Sequence, residues 1–534
     1  MKDKFSDFIQ DYQARIADLE KRKHIAYYQA AVTGETVYYD EYARLEIEHA
    51  GILSNHDDFA FLEKVTQRVR FTDPLMERQA KILYNIYKAH QIPDKLQQEI
   101  IQLETGVANK FSLFRTEVGD EQFTDNQVED LLESSTDSDQ LYAFWEASKK
   151  VGNLVEEDVR KLVALRNQAA VFLGYSNYHT MSLTLSEQDP YEIDRLFDQL
   201  DKLTANGFKT VKKGVDHQLA SRLEIEEDKL KPWHYQDRFF QEAPKVRGVD
   251  LDQWYQDADL VALTREYFQG IGLPIDDLLS KSDLFEKPGK NQHAFCLHVD
   301  RYGDVRVLCN VKPNRKWMNT MLHEFGHAVY EKYYDAQLPF ILREPAHIFT
   351  TEAVAMFFGR LASNPQWMHE VGLLNASVAV DLAQRNQEVT QREQLVFSRW
   401  AQVMYRFEKS LYANPGQDLN QLWWKLVNRY QKLQPPDTMR SAYWASKIHI
   451  ATAPCYYHNY LLGELLASQF YDSLEKLAEN TGKKAEASYA NRTDIGLFFR
   501  NEVFSAGSSL HWADMIRRAT GESLDPMYYA RQFT

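Results

Sequence analysis

Two histidines and a glutamate set the chemistry of this 534-residue chain. The run Leu322-His323-Glu324-Phe325-Gly326-His327 has the form H-E-x-x-H, and the pattern around it predicts a helix from about Asn314 to Tyr334. Residues four apart on a helix share a face, one turn above the other. His323 and His327 can therefore grip one metal ion, while Glu324 beside the first of them reaches a water at the metal. A catalytic zinc takes three protein ligands and keeps one position open. The best third ligand is Glu352, 25 residues beyond His327 in an apolar run (Ala353, Val354, Ala355, Phe357, Phe358), where a carboxylate is costly to bury without a partner. Glu331 and Glu344 are its rivals; Glu331, one turn past His327, reads as a helix-surface charge, and Glu344 lies in a loop before a proline. One zinc per chain would lower the pKa of its water to ~7. Glu324 would take the proton as the water attacks a carbonyl, then deliver it to the leaving amine. The oxyanion formed on the way needs further donors, for which Tyr and His are suited.

The elements that must position these groups are mostly helical. Phe5, Phe8, Ile9, Tyr12, Ile16 and Leu19 recur at helical spacing. Thr72-Asp73-Pro74 and Asp189-Pro190 are helix starts, with Asp as cap and Pro in the first turn. Helices are predicted at about 41–54, 74–92, 94–116, 125–135, 137–151, 154–173 and 190–223, and later at about 345–361, 376–412, 419–433 and 455–478. The clearest β signal runs from His293 to Val311: strand, tight turn at Tyr302-Gly303-Asp304, strand, leading straight into the metal helix. No Gly/Ser linker, low-complexity tract or repeat divides the chain, so one continuous body over 1–534 is expected.

Bulk composition narrows the class. Apolar residues make up 44% and charged residues 26%, as in an ordinary globular protein, and the net charge of −15 argues against nucleic acid as a partner. The three cysteines, Cys296, Cys309 and Cys455, are too few and too scattered for a disulfide framework or a Cys-x-x-Cys site. No signal-peptide core or membrane-spanning run is visible, so the expected location is cytoplasmic, with no membrane partner.

Ser446-Lys447-Ile448-His449 followed by Tyr457-His458-Asn459-Tyr460 resembles the angiotensin-converting enzyme (peptidyl-dipeptidase A) family of zinc metallopeptidases. So do Trp424 to Pro436, Phe144 to Tyr175, and Ala506 to Trp512 with Thr520-Gly521. The resemblance implies that His449 donates to the substrate beside the metal and Tyr460 stabilises the oxyanion. It also implies that Lys447 and Tyr457 hold the peptide's free C-terminal carboxylate, and that backbone at His293-Ala294 pairs with an extended substrate. Three positions depart from the family: Gln292 replaces a cysteine, Asn459 a chloride-binding arginine, and Met356 an aspartate that supports a zinc histidine. The spacing to Glu352 and the Leu-His-Glu-Phe-Gly-His form look more like thimet-type oligopeptidases.

The resulting expectation is a mainly α fold: a single ellipsoidal peptidase unit with a deep central cleft, a small antiparallel β element beside the zinc helix, and residues 1–95 as a helical lid. The expected activity is release of C-terminal dipeptides from short peptides with a free C-terminus. The alternatives are an oligopeptidase cutting internally, or an inactive peptide-binding relative.

Overall fold

Helix starts visible in the sequence are used. Asp73 accepts from the N–H of Leu75 and opens Pro74–Ala89; Asp189 does the same for Tyr191 and opens Pro190–Leu223. The computed structural model describes residues 1–245, 250–480 and 488–534. Within these the protein is mainly α, as expected, with two antiparallel two-stranded sheets, one more than expected. No helix among the described residues is long and apolar enough to cross a membrane.

The boundaries differ from expectation in instructive places. The helices expected at 137–151 and 154–173 are one, Ser138–Phe172. Gly152, inside the merged helix, is a close-approach residue: a Cβ there would lie 2.2 Å from the Ala442 carbonyl oxygen. The helix expected to reach 116 stops at Leu113, and a small hairpin follows, Thr116–Val118 with Glu121–Phe123, turning at Gly119 (φ +64°). The last of the long helices starts at His458, after a separate short turn, Ile448–Thr452.

The chain forms two compact units. One comprises Met1–Gln91, Gly248–Asn386 and Leu462–Tyr528. Its first helix, Lys2–Thr33, buries Phe5, Tyr12 and Ile16 in a core with Leu83, Tyr87 and the Leu338–Leu342 segment. Further along, Tyr28, Ala31 and Val32 pack on the hairpin Phe295–His298/Val305–Leu308, whose register pairs Phe295 with Leu308. The helix ends where two left-handed glycines meet, Gly34 (φ +71°) and Gly289 (φ +81°). A Cβ on Gly34 would lie 2.3 Å from the carbonyl oxygen of Gly289, and one on Gly289 would lie 2.4 Å from that of Thr33. Glu20 in this helix pairs with Arg301 at the hairpin turn (2.9 Å), which holds its carboxyl near pKa 2 despite burial.

The other unit comprises Ile92–Arg247, Gln387–Leu461 and Tyr529–Thr534. Its frame is three long helices, Ser138–Phe172, Pro190–Leu223 and the larger part of Ala376–Ala413. Buried Arg399 on the last of these donates to Thr204 of the second at 2.7 Å.

Candidate active site

In the first unit the helix Arg315–Lys332 is capped by Asn314, whose side chain accepts from the N–H of Trp317. It crosses the helix Ile348–Gly359 where Gly326 faces Ala355; a Cβ at 326 would come within 2.9 Å of the Ala355 Cα. That close approach brings His323, His327 and Glu352 to one point, with ligand atoms all within 4.8 Å of one another. The Glu352 Oε2 is 3.7 Å from His323 Nε2 and 3.9 Å from His327 Nε2. Ligands at ordinary zinc distances on a tetrahedron are roughly 3.4 Å apart, so the set is slightly open and of the right size and chemistry for zinc. The two imidazoles keep only a small exposed fraction; burial pushes His323 down to about pKa 4 and His327 well below its ordinary value. Both are thereby neutral, the form that binds metal.

The structure supplies a support that the sequence did not reveal. His327 Nδ1 is 2.7 Å from the hydroxyl of Thr351, the residue before Glu352. A hydrogen bond to the far nitrogen fixes the tautomer and ring plane of a ligating histidine. Met356, where the resemblance puts a supporting aspartate, instead has its sulfur 3.1 Å from where a Cβ of Gly463 would stand. Gly463 also leaves room for the Glu352 Cβ, at the same 3.1 Å.

Glu324 is 8% exposed, and burial, with Glu352 and Glu331 adding, pushes its carboxyl up to about pKa 8. Glu331 is not the surface charge that its helical position suggested. It is half-buried, raised to about pKa 8 chiefly by burial, and accepts from the Cys296 thiol at 3.6 Å. Glu344 pairs with Arg301 at 3.1 Å. Neither belongs to the metal-sized cluster, which among the described residues is His323, His327 and Glu352. His293 and Ala294 lie just before the ladder that starts at Phe295; His293 is exposed, and its N–H donates to Asn291 Oδ1 at 2.9 Å.

Lys447, His449, Tyr457 and Tyr460 gather in the second unit. Lys447 Nζ donates to Gln241 Oε1 at 2.6 Å and lies 5.2, 5.4 and 5.7 Å from the ring centres of Phe239, Trp400 and Tyr457. Burial among these rings pushes it down to about pKa 8. Among the described residues it makes no ion pair. The Tyr457 hydroxyl accepts from the indole N–H of Trp400 at 2.8 Å, which leaves its own proton to give. His449 packs edge-on against Tyr457 (5.1 Å), and burial, with Lys447 adding, pushes it down to about pKa 4, so it is neutral at pH 7. The ring of Tyr460 lies 5.4 Å from that of Tyr457. Gln241 was not singled out from sequence: it is 206 residues from Lys447, and nothing in its surroundings marks it. Asn459 is buried and accepts from Gln188 Nε2 at 2.8 Å, while Gln188 Oε1 meets His458 Nε2 at 2.7 Å. A neutral amide network therefore occupies the position of the family's arginine. All three cysteines are free thiols.

Two neutral histidines and a glutamate on adjacent helices, with a second, protonatable glutamate beside the first histidine, define a metallopeptidase-type site. The family model Peptidase_M2, described as Angiotensin-converting enzyme, matches residues 2–221 and 240–527, and the chain belongs to that family of metallopeptidases. It is 24% identical over 434 residues to the angiotensin-converting enzyme of Haematobia irritans exigua, covering 74% of this chain and 70% of that one. Against that of Theromyzon tessulatum the figures are 23% over 491 residues, 84% and 78%. Against that of Bos taurus they are 22% over 526 residues, 91% of this chain but 40% of the longer protein. Membership supports a zinc peptidyl-dipeptidase and does not favour an internally cutting oligopeptidase or an inactive binder.

Proposed function

We propose that this protein releases dipeptides from the free C-termini of short peptides, using one zinc held by His323, His327 and Glu352. The observation that carries the C-terminal reading is Lys447: a half-buried ammonium with no carboxylate partner among the described residues, beside a tyrosine hydroxyl that still has a proton to donate. Such a pair suits a carboxylate arriving from outside.

When bound, zinc supplies Lewis acidity toward the scissile carbonyl and the attacking water. Glu324, whose carboxyl binds a proton readily in its buried setting, takes the proton of that water and gives it to the departing amine. Thr351 holds the ring of His327. His449 and Tyr460 donate to the substrate and to the developing oxyanion, and Lys447 with Tyr457 holds the terminal carboxylate. Backbone at His293-Ala294, leading into the Phe295–His298 edge, pairs with the extended peptide. The helices of residues 1–95 act as a lid that restricts substrates to short peptides. The three free thiols support a cytoplasmic location.

Mass spectrometry of products from a mixed peptide pool tests the reaction: C-terminal dipeptides support it, and single residues or internal fragments overturn it. Lys447→Ala should raise KM about tenfold or more for free-acid peptides and change little for their C-terminal amides. Equal losses on both would remove the carboxylate role.

A further inference from the structure

The helix Ser138–Phe172 carries a buried cation that the proposed reaction does not use. Lys149 is 2% exposed, and among the described residues it has no acidic partner. Its Nζ donates to the Arg238 carbonyl at 2.6 Å and lies 3.2 Å from the ring centre of Phe239 and 5.3 Å from that of Trp145. A charge held this way is expensive, and burial pushes its pKa well down. What it holds is the strap from Asp237 to Gln241. Gln236 (φ +62°) and Phe240 (φ +52°) are both left-handed, which a phenylalanine adopts only when its surroundings force it.

Those surroundings are specific. The Trp145 indole also donates to the Arg238 carbonyl, and Gln431 Nε2 donates to the carbonyls of Phe239 and Phe240 at 3.0 and 2.7 Å. The Asp237 carboxylate accepts from the N–H groups of Phe239, Gln241 and Glu242. Phe240 is buried against Tyr235. Two residues of this fixed strap meet Lys447: the ring of Phe239, whose centre is 5.2 Å away, and the side-chain oxygen of Gln241. One ring thus contacts both lysines, Lys149 closely and Lys447 farther off.

We propose that Lys149 is a positioning residue for Lys447, acting through the Asp237–Gln241 strap, and that this strap makes the protein selective for peptides ending in a free carboxylate. The inference rests on the carboxylate reading of Lys447. Lys149→Met suits the test, because the Arg238 carbonyl keeps the Trp145 donor and methionine suits the aromatic surroundings. The full-length zinc-loaded protein is assayed on one peptide as free acid and as C-terminal amide.

Lys149→Met is expected to raise KM for the acid about tenfold, with kcat and both constants for the amide within about twofold. A merely structural role would move both substrates alike. Asp237→Ala, at a half-exposed position where the freed N–H groups can meet water, loosens the same strap. It also removes a negative charge near Lys447, which by electrostatics alone would lower KM for an anionic peptide, so a rise reports positioning. Equal effects on acid and amide, or an unchanged acid KM in both variants, overturn the inference. Lys447→Ala separates the two readings. If it too fails to discriminate acid from amide, the carboxylate role itself falls; if it discriminates and Lys149→Met does not, only the strap's role falls.

Discussion

The candidate metal-ligand set and the lysine set hold polar groups in opposite ways. Around His323 every functional group sits on one of two helices that touch at Gly326 and Ala355, and the second helix is buried along most of its length. Position there follows from helical geometry, so one close crossing brings three candidate ligands together. Around Lys447 the groups are scattered over short turns, the first turn of the helix that starts at His458 (Tyr460) and the strap, which is held by hydrogen bonds from Lys149 and Gln431. The first set is built from regular structure and tolerates little variation in packing. The second depends on many individual contacts, so single side chains far from it can retune it.

Substitutions that separate the two sets sharpen this contrast. The largest expected effect is at Glu324. Glu324→Gln keeps size and burial but cannot take a proton, and kcat should fall by about 10²–10⁴-fold with zinc content unchanged by elemental analysis. Retained activity would break the assignment of the base to the helical set. Next is Thr351→Val, which removes the hydroxyl from His327 Nδ1. Competition with a chelator should show zinc affinity falling about 10–100-fold; no change would mean that the crossing alone orients the ring. The smallest effect concerns pH. Lys447 is pushed down to about pKa 8, so its charge is present below that pH and lost as pH rises through it, earlier than for an ordinary lysine. The ratio of kcat/KM for an acid peptide to that for its amide should fall by up to about tenfold per pH unit above 8. A flat ratio would show that Lys447 stays charged or takes no part.

The same contrast explains what was legible in the sequence. His323 and His327 could be read because a helix turns spacing directly into proximity. Glu352 could be read because a lone carboxylate in an apolar helix needs a partner. Thr351 could not, since a threonine there is as well explained by packing as by a bond to a ring 24 residues away. Glu331 was misread because helical period alone does not say which face a neighbouring strand covers; the thiol of Cys296 covers it. The helix Ser138–Phe172 was read as two because local pattern does not show that Gly152 is held at a close approach to Ala442. Gln241 and Lys149 depend on contacts 206 and 89 residues away in sequence and leave no local pattern.

The paired glycines at the end of the first helix have a mechanical consequence. Gly34 and Gly289 stand back to back, each in a conformation that L side chains avoid, with backbone of one chain segment filling the space that a side chain on the other would need. This contact is a weld rather than a hinge. The N–H of Asn291 also donates to the Ala31 carbonyl at 2.8 Å, tying the two segments beside the glycines. The first helix must therefore carry the loop at Gly289, and with it the start of the hairpin, through any movement it makes. The two positions also form one mutational unit, since a side chain at 34 collides with the Gly289 backbone and one at 289 with the Thr33 carbonyl.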